Sequence, residues 1–498
     1  MKKFLLAASL ITITNVVDAQ CFDNEPNYSQ FAPKGDGKYK NEILWLGWGN
    51  GAKSLKKNDY SNAMLKISED KYVCVKTVVT SVSADNHLKV DKVDAAWSLM
   101  DEYYTNDDDN IYYILKNGVN NTPVKASFKS YAFISTKQVN NTYVKVPIKI
   151  KGLVFADAES ANTTEYLSLQ AKGQWNIVEI MRRSSSNVKY SVKKTPATAA
   201  GISQIVMGYG NNSKYAALSM LKFDESRAYA NANENFAVTY DAELRGEGTT
   251  SVAIGLLTPY ADFGDAPESY GAPMHLIEDL ELVRDNLSES NNLKEIGNSN
   301  SFTAGSLVQP KFNYIGSLGP DANITNIFTD DALGDDYTYY SDGSRNQLSN
   351  EENGWPAKYQ SLSYKTINGV NYPIGGSISP EIPVVTNKRS VLAGWIDFNL
   401  NGKFDDNEMS YIDIPANTNV SVQLQWHIPL DRVAKSTFVR LRLFDFADVN
   451  ENGTINPALI SPISDVYGGE VEDHKMRILP YAVSNPMLIN ATQGIKTE

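Results

Sequence analysis

Short runs in which β-branched and aromatic residues alternate with polar ones recur along the chain, the period-two signature of strands with one buried face. Clear cases are "YVCVKTVVTSVSA" from Tyr72, "YVKVPIKIKGLVFA" from Tyr143, "VSVQLQW" from Val420 and "FVRLRLFDF" from Phe438. In the last of these, Val439, Leu441 and Leu443 alternate with Arg440 and Arg442, which predicts one buried and one wet face. Helical periodicity is scarce. It predicts short helices over residues 89–104, around "DAAWSLMDEYY", and over 274–287, "MHLIEDLELVRDNL". Many short strands between Gly, Asn and Asp turns predict a mainly β protein: two antiparallel β-sandwich domains with few short helices.

Length favours more than one core, since 498 residues exceed what a single core usually holds. The alternating run "SVAIGLL" ends at Leu257, and "TPYADFGDAPESYGAP" follows with prolines and glycines. Charge changes there too. Residues 20–260 carry 28 Lys and Arg against 25 Asp and Glu, and residues 261–480 carry 15 against 31. The expected organisation is a signal peptide at 1–19, an extended leader at 20–40, domains at 41–260 and 261–480, and a tail at 481–498. Residues 184–201 read as a long loop of the first domain. No internal repeat has a fixed period.

The start, "MKKFLLAASLITITNVVDAQ", has two lysines, an apolar run and Val17-Asp18-Ala19, the pattern of a secretory signal cut after Ala19. Gln20 and Asp18 do not suit a lipid-anchored Cys21. No later run of apolar residues is long enough for a membrane-spanning helix, so an exported protein, secreted or surface-associated, is expected. In an oxidising compartment Cys21 and Cys74 make a plausible disulfide. The acidic second half points to bound cations and argues against nucleic acid as a partner.

Candidate chemistry centres on "DFNLNGKFDDNE" from Asp397. Asp397, Asn399, Asn401, Asp405 and Glu408 fall at positions 1, 3, 5, 9 and 12 of a calcium-loop spacing, with Gly402 at 6 and the Lys403 carbonyl at 7. Phe404 is placed to plug the core. Flanking "SVLAGWIDF" and "SYIDIPA" read as strands, and Pro415 comes too soon for an exiting helix. A structural Ca2+ between strands is therefore expected, rather than a helix–loop–helix sensor. A weaker copy, "DVNENGTIN", places Asp448, Asn450, Asn452, Gly453 and Asn456 alike but has Leu459 at position 12. Asp262 and Asp265 in "DFGDAP", and Glu470, Glu472 and Asp473 in "GGEVEDH", are further metal candidates, as is "DDALGDD", Asp330 to Asp336. They could equally be carboxylate pairs with raised pKa suited to acid–base work. No HExxH, GxSxG or P-loop motif occurs, so no enzyme is expected. Among four histidines, His275 and His474 lie beside the acidic knots, while His87 and His427 do not. Trp45, Trp48, Tyr103, Tyr104, Tyr112 and Tyr113 read as core by default, or else as a recognition platform.

"DFGDAPESYG", "GWIDFNLNGKFDDNE" and "GGEVEDH", in that order, resemble the GEVED domain of bacterial secreted and surface proteins. "ILWLGWGNG", "VFADAESANTTEYLSLQAKGQWNIVE" and "SVAIGLLTPYADFGDAP" resemble the non-repetitive ligand-binding domain of CshA-type fibrillar surface adhesins. Together the two resemblances cover roughly residues 40–480. They imply an exported bacterial protein whose first, lectin-like (jelly-roll-like) domain attaches to a host or neighbouring-cell surface protein or glycan. Asp157, Glu159 and Trp175 are the positions the resemblance carries over as ligand-binding candidates. Neither a long repeat array nor a wall-anchoring signal is found, so secretion or non-covalent association is expected. A self-associating appendage or layer component, and a secreted polysaccharide-acting hydrolase, are the alternatives.

Overall fold

A computed structural model describes residues 20–22, 25–32, 34–40, 42–49, 51–83, 87–92, 99–104, 113–119, 121–158, 164–182, 190–208, 215–246, 250–257, 261–277, 281–296, 301–308, 311–320, 327–334, 337–339, 345–347, 352–361, 364–367, 370–373, 377–427 and 435–478. The expected signal segment and the tail lie outside them. The chain forms two compact units: Met1–Thr258 with Arg284–Ser306, and Pro259–Val283 with Leu307–Glu498. In the first, the stretch beyond Arg284 is held by Lys194, whose buried ammonium pairs with the buried Asp285 carboxylate. Asp285 also accepts the Ile177 N–H at 2.6 Å.

The first unit consists of two antiparallel sheets that share the long strand Tyr166–Arg182. Tyr166 to Lys172 pair with Ile202–Gly208 on one side, and Tyr166 to Ala171 with Val238–Arg245 on the other. From Gly173 onward the same strand pairs with Tyr215–Phe223 in the second sheet. Gly173 has φ +156°, and a Cβ there would collide with the Lys222 carbonyl oxygen. A glycine is what lets one strand serve both sheets at this corner. Val124–Lys137, Lys71–Val82 and Tyr60–Ser68 extend the first sheet, and Gly152–Asp157 and Ser251–Leu257 the second. Those last two strands are buried along their whole length, which is why "GLVFA" and "SVAIGLL" are near-continuous apolar runs. The leader is fastened by the Cys21–Cys74 disulfide and by pairing of Gln30 with Trp45.

In the second unit a four-stranded sheet runs in the order Met409–Ile414, Ser390–Ile396, Lys435–Asp445, Glu470–Ile478. A three-stranded sheet is made of Tyr314–Ile315, Glu381–Thr386 and Thr418–Gln423. Ile382, Val384, Leu392, Ile396, Val439, Leu441 and Leu443 join the two sheets in one apolar cluster. The other strand face contributes Val391, Ala393, Trp395, Phe438 and Phe444 to a second cluster with Tyr270, Phe404 and Val466. The four-stranded sheet is thus covered on both faces.

Three expectations are corrected. The described residues of the segment 274–287 form no helix: Met274–Leu276 hydrogen-bonds between Ala261–Phe263 and Asp465–Tyr467, and Glu281–Val283 is a further strand. Sheet pairing overrides the weak helical pattern. Within 89–104, Leu88–Asp91 begins the segment as strand and Leu99–Tyr103 is helical, the one α-helix among the described residues. The wet face of Lys435–Asp445 is absent as well, since Arg440 and Arg442 are fully buried. No described helix is long and apolar enough to cross a membrane.

Gly173→Ala should destabilise the first unit by about 1–3 kcal/mol through backbone strain alone, and by more if the Lys222 carbonyl cannot move. Thermal unfolding of the variant beside the wild type measures it; an unchanged melting temperature would show that the corner tolerates a side chain.

Candidate functional site

Two guanidinium groups lie side by side inside the second unit, on the face of Lys435–Asp445 opposite Val439 and Leu441. Asp473 receives Arg440 through two bonds, Nε to Oδ1 at 2.7 Å and Nη2 to Oδ2 at 2.6 Å. Arg440 Nη1 also donates to the carbonyls of Tyr270 and Pro462, both at 2.9 Å. Arg442 donates to the Ser461 and Ser464 carbonyls and, from Nε, to His275 Nε2 at 2.9 Å. Because Arg442 can only donate, His275 Nε2 is the bare nitrogen, and Nδ1 donates to the Gly468 carbonyl at 2.9 Å. Burial, and then the charge of Arg442, hold His275 well below the ordinary imidazole value of 6.5. Burial and the charge of Arg440 bring Arg442 down to about 9.

The acidic knots gather around this network. Asp473 Oδ2 also accepts the Ala266 N–H at 2.9 Å, and Asp262 accepts the Val471 N–H at 2.6 Å. Asp265 accepts from the Gly334 N–H, and Glu470 from the Ile315 N–H. Gly264 has to be glycine, because a Cβ would sit 2.6 Å from Arg440 Nη2. In this structure these four carboxylates anchor backbone.

The loop after Ser390–Ile396 joins two strands, with a single 3-10 turn at Asp406–Glu408. Asp397 accepts the N–H groups of Asn401 at 3.2 Å and Gly402 at 3.0 Å, and the Tyr270 hydroxyl at 2.7 Å. Asn399 and Asn401 each aim an amide at Asp405 Oδ2, at 2.7 and 2.8 Å. The Oδ1 atoms of Asn399 and Asn401 accept the Asn401 and Lys403 N–H groups, both at 2.9 Å, so the loop is closed by its own hydrogen bonds, while its carboxylate and amide side chains are of the types that suit a hard cation. Gly402 takes the left-handed turn at φ +78°, and Phe404 is buried against Tyr270, ring centroids 4.7 Å apart. Glu408, placed by its spacing to close a metal shell, instead accepts the N–H groups of Phe398, Asn399 and Asp405. Burial raises its pKa. The weaker copy is a tight hairpin, Asn450–Glu451 with Thr454–Ile455, turned at Asn452 and Gly453.

Along the open edge of Glu470–Ile478 lies a different constellation. Strand alternation puts Glu472 and His474 on one face, and the segment 352–361 runs beside that edge, tied by the Arg477 N–H to the Gln360 carbonyl. It brings in Glu352, which no motif had singled out. Oxygens of Glu352 and Glu472 and a nitrogen of His474 all lie within 4.8 Å of one another, the one such group among the described residues. Glu352 and His474 border a cleft of about 640 Å³ lined also by Asp331, Gln360, Lys475 and Arg477.

In the first unit, Asp157 is 1% exposed and accepts the Tyr190 hydroxyl at 2.7 Å. Trp175 is 4% exposed and packs on Phe155. Neither presents a surface to a ligand, and Glu159 lies outside the described residues. Trp45, Trp48, Tyr104 and Tyr113 are core residues as well.

Residues 41–257 match the family model for surface adhesin CshA non-repetitive domain 2, and residues 391–477 match the GEVED domain. Both matches fall where the motifs placed the resemblance, and in that order. No curated protein matches the chain. Among solved structures, the N-terminal domain of the Streptococcus gordonii adhesin Sgo0707 aligns over 92% of this chain and 89% of its own, at 6% identity and a TM-score of 0.24. At that score the likeness carries no argument.

His275 is buried neutral, so the unfolded chain binds its proton first as pH falls. The stability this group confers is whole above pH 6.5 and declines below it by up to about 1.4 kcal/mol per pH unit. Urea unfolding of the second unit's transition between about pH 5 and 7 should show this slope, and His275→Gln should flatten it. A slope equal in both proteins would place the acid sensitivity elsewhere.

Proposed function

We propose that the protein is an exported bacterial adhesin, secreted or held at a cell surface. Its first unit would contact a protein or glycan on host or neighbouring cells, and its acidic second unit would be a rigid module stabilised by calcium. One observation carries the adhesive role: the match of residues 41–257 to a surface adhesin domain. The absence of any catalytic motif agrees with a binding protein. Since Asp157 and Trp175 are internal, the ligand surface of this reading lies on other residues of the first unit.

Calcium would be held by Asp397, Asn399, Asn401 and Asp405 with the Lys403 carbonyl, the residues at the spacing of a calcium loop, once the two amides turn their oxygens inward. Its contribution would be to fix the loop and offset repulsion among neighbouring acids. A bound ion at a hundred times its Kd adds about 2.7 kcal/mol to stability.

The test uses the full chain on an array of matrix proteins and glycans, in millimolar Ca2+ and in EDTA, beside melting curves in both buffers. Binding to at least one class of ligand is expected, with a higher melting temperature in Ca2+ that Asp405→Asn removes. Equal melting temperatures would refute the calcium role. No binding in either buffer, with calcium-dependent oligomers in light scattering, would replace the adhesin with a layer-forming protein.

A further inference from the structure

We infer that Glu352, Glu472 and His474 form a second metal site, for a transition-metal cation of the zinc class, distinct from the calcium loop. The inference does not rest on the adhesin reading. It rests on donor chemistry, spacing and burial.

Donor chemistry comes first. Calcium and magnesium take oxygen ligands, whereas an imidazole nitrogen with carboxylates suits zinc and its neighbours. His474 is the one nitrogen donor in the group, and it lies between the two carboxylates. Its Nε2 is 3.0 Å from Glu472 Oε2 and 3.8 Å from Glu352 Oε2. Metal bonds of ~2.0–2.2 Å at tetrahedral angles separate neighbouring ligand atoms by roughly 3.3–3.6 Å. The observed pair brackets that spacing, all three ligand atoms lie within 4.8 Å of one another, and a bound ion would take the place of the His474–Glu472 hydrogen bond.

Burial gives the second reason. The side chains of Glu472 and Glu352 are 0% and 3% exposed, and His474 is 12% exposed. Two carboxylates and an imidazole thus converge in a poorly solvated place, where a cation interacts with its ligands more strongly than at a wet surface.

The ligands are also pre-positioned. Glu472 accepts N–H groups from Asn353 at 3.2 Å and Gly354 at 3.0 and 3.1 Å, which aim the carboxylate. Gly354 cannot carry a side chain, because a Cβ would collide with Glu472 Oε2. The Trp355 ring lies against His474, centroids 6.4 Å apart and planes within 29°. Such supports around a ligand are what fixed metal sites require. Three protein ligands, two of which, Glu352 and His474, line the cleft, leave a position for water or for an anionic oxygen of a bound molecule.

The experiment uses the full chain, dialysed against EDTA and returned to saturating Ca2+ so that oxygen-only sites are filled. Zn2+ alone is then titrated calorimetrically, and Co2+ is followed by its visible spectrum. One equivalent of Zn2+ should bind in the presence of Ca2+, with Co2+ bands of a low-coordinate set containing nitrogen. His474→Gln and Glu352→Gln should each weaken Zn2+ binding more than about tenfold, and Asp405→Asn should leave it unchanged. The inference is overturned if no Zn2+ binds beside Ca2+, or if both Gln variants bind it as the wild type does. Should neither variant fold, the wild-type Co2+ spectrum decides, and a six-coordinate, oxygen-only spectrum counts against the site.

Discussion

The second unit depends on keeping two guanidinium groups dry. A buried ion is penalised by several kcal/mol unless its partners are close and well directed. Arg440 meets that condition with the two oxygens of Asp473 and two carbonyls near 2.9 Å. Arg442 meets it with carbonyls and a neutral imidazole. Every partner comes from a different part of the chain: the stretch around Tyr270 and His275, the turn at Ser461 to Ser464, and the strand holding Asp473. Removing any one of them leaves a buried charge short of a partner. The network therefore fixes segments that have little regular structure of their own.

This changes the meaning of the acidic composition. Asp262, Asp265, Glu470 and Asp473 are not a solvated surface; all four are buried and bonded to backbone N–H groups or to a guanidinium. A carboxylate that accepts charge-assisted bonds in a dry interior holds a loop more firmly than one at the surface. The strand Glu470–Ile478 serves two purposes through its alternation. Asp473 faces the arginines, while Glu472 and His474 face Trp355 and Glu352.

How far the sequence could be read follows the same physics. Period-two patterning located strands such as Ser251–Leu257 and Lys71–Val82, because burial on a sheet leaves that trace. The flanks of the loop from Asp397 to Glu408, "SVLAGWIDF" and "SYIDIPA", foretold a loop between strands, which is where the structure has it. Arg440 and Arg442 were misread as solvent-facing, since alternation distinguishes two faces without saying what covers the second. Tyr270 and Glu352 left no local signal either. Their roles arise from partners 170 and 120 or so residues away, seen in the bond from Arg440 to the Tyr270 carbonyl and the approach of Glu352 to His474. Trp175 was a ligand candidate only through the adhesin resemblance; an aromatic serves a binding surface and a core alike, and its burial puts it in the core.

The arginines also specify register. Slipping Lys435–Asp445 by one residue against Ser390–Ile396 would move every side chain to the opposite face. Val439, Leu441 and Leu443 would leave the cluster they share with Ile382 and Val384, and both guanidiniums would enter it without a single acceptor. An apolar residue at 440 and 442 would make the two faces nearly equivalent and the slip cheap. Buried charge in this position disfavours the wrong pairing more than it stabilises the right one, which accounts for two arginines in the middle of a fully covered sheet. The same selectivity keeps Asp473 on the arginine side, and so places Glu472 and His474 together on the other.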